Sequence, residues 1–148
     1  MPVISIFTDG ACLGNPGPGG WGVMIQFKDR SCFFSGHDPA TTNNRMELIA
    51  VIRALEWTDN MQPICVFSDS QYVIKGMTDW VHRWEKNGWK NSKKKDVENK
   101  DLWTELLMWS RKFSDLSWQW VKGHSQCVEN AVADRLAHNA AHKIVVQR

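Results

Sequence analysis

The chain has 148 residues, 43% hydrophobic and 23% charged, the size of one compact domain able to bury about two-thirds of its unfolded surface, which excludes intrinsic disorder and a second core. No apolar run nears the roughly 18 residues of a membrane span, and Met1 to Phe7 lacks a basic flank before a long apolar stretch, so neither membrane insertion nor secretion is expected. The formal net charge of +2 names no partner by itself, yet between His82 and Lys95 six basic residues stand against Glu85 alone.

In chain order, Val3 to Asp9 is short, β-branched and alternating, the pattern of a strand ending near Asp9. Gly14 to Gly20 reads as a turn. Trp21 to Phe27 and Cys32 to Ser35 read as two further strands around a turn at Lys28 to Ser31, completing an antiparallel meander. Thr42 is a cap for a helix from about Asn43 to Thr58, with Leu48, Val51, Ile52 and Leu55 at helical spacing. Ile64 to Phe67 is then a buried strand, brought parallel to an earlier one by the crossover, with Asp69 at its carboxyl end. Ser70 to Gly76 and Thr78 to Asn87 are short helical stretches before a lysine-rich loop. A helix over Asp101 to Lys112, a last strand over Trp118 to Val121, and an alanine-rich helix over Glu129 to Lys143 complete the order, the last with Val132, Leu136 and Ala140 on one face. The fold class is mixed α/β: a five-stranded mixed sheet, three strands in a meander and two added in parallel, flanked by helices. Cys12, Cys32, Cys65 and Cys127 form no C-x-x-C pair, so reduced thiols in the cytosol are expected.

Asp9, Glu47, Asp69 and Asp134 sit at element ends or on helices among apolar or small residues. If the strands ending at Asp9 and Asp69 are parallel neighbours, both carboxylates open on the sheet edge where α/β folds bind ligands, within reach of Glu47 and Asp134 from flanking helices. Converging carboxylates without a matching arginine call for a hard divalent cation. Caps and surface charge are the alternative for any one of them.

The segments Thr8-Asp9-Gly10, Gly14-Asn15-Pro16-Gly17, Thr42-Asn43-Asn44-Arg45-Met46-Glu47 and Asp69-Ser70-Gln71-Tyr72 occur in that order. Trp89-Lys90, Asp101-Leu102-Trp103 and Val121-Lys122-Gly123-His124 follow, with Asp134 ten residues on. Over nearly its whole length the sequence resembles a type 1 ribonuclease H. The resemblance implies a single domain over residues 1–148, and an endonuclease that cuts the RNA strand of RNA–DNA hybrids to leave 5'-phosphate and 3'-hydroxyl ends. It implies that Asp9, Glu47, Asp69 and Asp134 hold two Mg2+ ions during catalysis, with Mn2+ as a substitute, and that His124 carries protons. Asp9 and Asp69 would share the ions, Glu47 serving the leaving group and Asp134 the nucleophile. A monomer in the cytoplasm, with no obligate protein partner and no membrane, is the expected context. After His124 the sequence departs from the bacterial pattern at Gln126, Cys127 and Val128.

Asn15, Asn43, Asn44 and Gln71 are uncharged amides suited to a minor groove, where 2'-hydroxyls mark RNA, and Gly10 and Cys12 would add backbone groups. Without the resemblance, capping is the first reading of Asn43 and Asn44. Thr42 and Asn99 match positions that grip a phosphate of the DNA strand. Residues 80–100 match a basic protrusion that holds that strand through Trp80, Trp84, Lys86, Lys90, Lys93, Lys94 and Lys95. Trp80 and Trp84, four apart, share one helix face and fit a core equally well. Trp103, Trp109, Trp118 and Trp120 are assigned to the core. A same-fold DNA nuclease would lack the asparagine set, and a non-cleaving hybrid-binding module would lack one of the acids; both features are present.

Overall fold

A computed structural model describes residues 3–58, 62–123 and 128–146. Five strands, β1 (Ile4–Cys12), β2 (Gly17–Gln26), β3 (Ser31–Thr41), β4 (Ile64–Ser68) and β5 (Leu116–Trp120), form one sheet in the order β3-β2-β1-β4-β5. β1 to β3 are an antiparallel meander, β4 adds to β1 in parallel and β5 to β4 in parallel, as expected. The helices are α1 (Asn43–Trp57), α2 (Gln71–Lys75), α3 (Val81–Lys86), α4 (Lys100–Ser110) and α5 (Val128–Val146), with a π-helical turn over Gly76–Trp80 joining α2 to α3.

α1 starts at Thr42, whose side-chain oxygen accepts from the Arg45 N–H. Eight of its residues are buried, including Leu48, Val51, Ile52 and Leu55, because one flank meets Ile4, Ile6, Val23 and Ile25 of the sheet and another meets Leu102, Leu106 and Leu107 of α4. It stops at Thr58, whose N–H and hydroxyl both donate to the Ala54 carbonyl.

The opposite face of β1 to β3 is covered by α5 through an unusually close seam. A Cβ on Gly20 would lie 2.4 Å from the Ala137 carbonyl oxygen and the Ala141 nitrogen, and one on Gly22 2.4 Å from the Ala133 carbonyl oxygen. Only glycine permits that approach. This corrects one expectation and sharpens another. The turn before β2 is shorter than Gly14 to Gly20, because Gly17, Gly19 and Gly20 pair with β3 and Gly20 lies under α5. The deepest face of α5 is Ala133, Ala137, Ala140 and Ala141, with Val132 and Leu136 half-buried beside it.

β1 and β3 run several residues longer than their apolar alternation suggests, since Gly10 to Cys12 and Gly36 to Thr41 remain paired. Trp103 is fully buried, and Trp109 and Trp118 pack against the core. Trp120 is 40% exposed and does not belong there: at the end of an edge strand its indole N–H donates to the Asp69 carbonyl at 3.1 Å.

Candidate active site

The register of the two parallel strands sets the first pair of acids. Thr8 is the partner of Ser68, so Asp9 and Asp69, the next residues, emerge side by side. Glu47 reaches them because α1 crosses directly over Gly10, where a Cβ would lie 2.5 Å from the Glu47 nitrogen. Asp134 arrives by the glycine seam. Gly22 is the partner of Asp9 across β1 and β2, and its contact is Ala133, the residue before Asp134.

All four acids line one cleft of about 470 Å³, together with Gly10, Asn43, Ser70, Gln71, Tyr72, Asn130, Ala131 and His138. Carboxylate oxygens of Asp9, Glu47 and Asp69 lie within 4.8 Å of one another, and no lysine or arginine is among the described residues that line the cleft. Asp9 is nearly buried, with Oδ1 accepting from the Gly10 N–H at 2.9 Å. Burial, followed by repulsion from Glu47, pushes its carboxyl far above the usual range. Burial raises Glu47 too, and the charge of Asp69 adds to it. Glu47 Oε1 is buried without a hydrogen-bond partner. A buried acceptor beside two other carboxylates, with no lysine or arginine among the described residues of the cleft, is the donor set of a hard oxygen-loving cation.

The expected substrate residues fall on the same edge. Asn43 and Gln71 open α1 and α2 into the cleft. Asn15 Oδ1 accepts from the Asn43 N–H at 2.8 Å, and Asn44 is exposed beside it. The Cys12 thiol donates toward the carbonyls of Gly17 and Thr41, tying the ends of three strands. Thr42 caps α1, and Asn99 is held near it by Arg45, whose Nη1 donates to Asn99 Oδ1 at 3.2 Å. Asn99 itself adopts a left-handed backbone, φ 60°.

Trp80, Trp84 and Trp89 resolve the choice between core and surface by serving as both. They form a tilted ladder with centroids 5.8 and 6.1 Å apart, half-buried against the core, while Trp80 and Trp84 also line a second hollow with Arg83, Asn87, Lys90, Asn91 and Ser92. Lys86, Lys93, Lys94 and Lys95 are exposed, the last three on a turn whose N–H groups at Lys93 and Lys95 bond Asn91 Oδ1. Lys90 is engaged with Asp96 at 2.6 Å. His124 and Cys127 lie outside the described residues. Gly123 lies beside Asp69, since a Cβ there would sit 3.4 Å from Asp69 Oδ2.

The sequence reading missed Arg45, Tyr72, Asn130 and His138. Asn130, Asp134 and His138 are spaced by four, one face of α5, a signal that could have found two of them. Asn130 Oδ1 is buried without a partner, and His138 Nε2 lies 3.3 Å from Asp134 Oδ1.

The ribonuclease H family model matches residues 2–142. The chain is 51% identical to a ribonuclease H of Syntrophotalea carbinolica, over 93% of this chain and 90% of that protein. It is 45% identical to one of Bradyrhizobium diazoefficiens, over 100% and 96%. Among solved structures it is similar to LC9-RNase H1, a type 1 RNase H with the type 2 active-site motif, at TM-score 0.85 and 34% identity, over 97% of this chain and 74% of that one. LC11-RNase H1 in complex with an RNA/DNA hybrid aligns at TM-score 0.73 and 27% identity, over 96% and 99%.

Proposed function

The chain belongs to the type 1 ribonuclease H family, and from that premise we propose that it hydrolyses the RNA strand of RNA–DNA hybrids internally, using divalent ions held by Asp9, Glu47, Asp69 and Asp134. The observation that carries the assignment of these residues is the convergence of three carboxylates within 4.8 Å, one with an orphaned buried oxygen, in a cleft that Asp134 also lines. The ions are Mg2+, two in number, with Mn2+ as a substitute. Bound there, they would lower the pKa of an attacking water and neutralise charge on the scissile phosphate and the departing 3' oxygen.

The protein's own part is placement. β1 and β4 hold Asp9 and Asp69 at a fixed register, and Gly10 lets Glu47 close the group. Asn15, Asn43, Asn44 and Gln71, with the backbone of Gly10 and Cys12, read the 2'-hydroxyls of the minor groove, so the contacts carry little base information. Thr42 and Asn99 hold a phosphate of the DNA strand, while Trp80, Trp84 and the lysines at 86, 90 and 93–95 guide its backbone. His124 moves a proton between cleft and solvent. The products end in 5'-phosphate and 3'-hydroxyl, and the protein works as a cytosolic monomer without an obligate partner.

The test is incubation with an end-labelled hybrid, duplex RNA and duplex DNA, with Mg2+ or chelator. Internal cutting of RNA in the hybrid alone, abolished by chelator, is expected. Cutting of duplex DNA, or cleavage that survives chelation, refutes the reading.

A further inference from the structure

Beside the cleft, the phenol oxygen of Tyr72 accepts two hydrogen bonds, from Trp103 Nε1 at 2.9 Å and from Asn99 Nδ2 at 3.1 Å. The first is fixed because an indole nitrogen only donates and Trp103 is fully buried. The second is fixed by Arg45, whose guanidinium donates to Asn99 Oδ1 at 3.2 Å. Turning the amide over would set its NH2 against a group that also only donates. Arg45 is itself clamped by both oxygens of Asp101, at 3.0 and 2.8 Å. Two donors fill the acceptor positions of the phenol oxygen, so its own proton must go to an acceptor outside this set. No described residue takes it. The ring is half-buried on the cleft wall beside Gln71 and Asn43.

We propose that Tyr72 donates this hydrogen bond to a non-bridging phosphate oxygen of the DNA strand, which makes it a substrate-binding residue alongside Asn99, with Arg45 and Asp101 as the clamp that orients both. The inference rests on the hybrid-cleaving reading above. A phosphate oxygen fits better than a ribose hydroxyl because it is anionic and accepts only, whereas a hydroxyl brings a proton of its own. Two donors on the phenol oxygen polarise the O–H and strengthen it as a donor to an anion.

Tyr72→Phe also strips the buried Trp103 N–H of its acceptor, so a lower melting temperature is expected and does not test the contact. A coupling does. Hybrids carrying one methylphosphonate at successive positions of the DNA strand are titrated with the parent and with Tyr72→Phe in chelator, where nothing is cut. At one phosphate the parent is expected to lose about 10-fold or more in affinity and the variant several-fold less, with equal losses elsewhere. Equal losses at every DNA phosphate overturn the proposal. So does a coupling that appears instead at a 2'-deoxy substitution of the RNA strand. Cleavage of the unmodified hybrid by the parent with Mg2+ is measured in parallel: its absence brings down the hybrid reading itself, whereas its presence without coupling brings down the Tyr72 contact alone.

Discussion

Among single residues, Asp9 carries the sharpest conflict between stability and use. Its carboxyl is nearly buried, and burial and Glu47 hold it protonated well above the ordinary carboxylate range. Unfolded, it releases its proton near pH 4. Above that pH the unfolded chain binds fewer protons than the folded one, so in chelator this group's contribution is fully present below about pH 4 and is lost as pH rises toward the folded pKa. Asp9→Asn should therefore melt a few degrees higher than the parent at pH 7.5 in chelator and show a flatter decline between pH 5 and 8. Added Mg2+ should stabilise the parent and scarcely move the variant, as scanning calorimetry would report. A lower melting temperature with no metal response would mean an ordinary paired or capping carboxylate. On the proposed roles, with the acid serving the transition state and the protrusion serving binding, Asp69→Asn should abolish cleavage while hybrid affinity stays within a few-fold. Retention of a tenth of parental turnover would sink its assignment. The four acids were legible as residues because they recur with motif segments. Tyr72 and Arg45 were not, since their roles come from hydrogen bonds across 27 to 56 positions.

Individual elements deliver these residues through glycine contacts, and the delivery can be tested apart from the chemistry. A methyl at Gly22 would press on the Ala133 carbonyl and the Leu136 Cβ, so Gly22→Ala should push α5 outward. A loss of about 1 to 3 kcal/mol is expected from overpacking, and kcat should fall with it because Asp134 moves away from Asp9. Unchanged kcat in a destabilised variant would show that the seam serves stability alone. The protrusion contributes differently. Replacing Lys93, Lys94 and Lys95 by Ala should raise KM and flatten the dependence of log Kd on log salt by roughly 0.7 to 0.9 for each phosphate no longer neutralised. An unaltered slope would mean that these exposed lysines touch no substrate. Element types were read correctly from periodicity, while strand ends were not. Gly17 to Gly20 and Gly36 to Thr41 carry turn formers, and it is the pairing of β2 with β3, with α5 close against Gly20, that holds them extended. On the expected apolar face of α5, Ala140 is buried while Val132 and Leu136 are only half-buried, because against two glycines alanine buries more deeply than valine or leucine.

The whole molecule presents a cleft and a basic arm on one connected surface, with Tyr72, Trp80, Trp84 and Trp103 in successive ring contact between them. On the proposed reading, a substrate must span the amides at the cleft for its 2'-hydroxyls to be read. A single ribonucleotide in duplex DNA should thus be cut far more slowly than a run of four or so, as single-turnover rates on matched duplexes would show. Equal rates would refute groove reading. The meander, the parallel additions and the crossover were legible because each follows from local pattern plus handedness. The exposure of Trp120 was not, because nothing in the sequence marks β5 as the edge of the sheet.

The glycine seam also sets when the fourth acid can join the other three. Asp9, Glu47 and Asp69 belong to the first half of the chain, whereas Asp134 rides on α5, which rests on β2 more than a hundred residues earlier. During synthesis the nascent chain would expose three of the acids while the helix that completes the site is still unmade. Contacts this distant in sequence are also the slow ones in refolding. Asp134 therefore joins the other three acids in the cleft only once α5 has docked against β2.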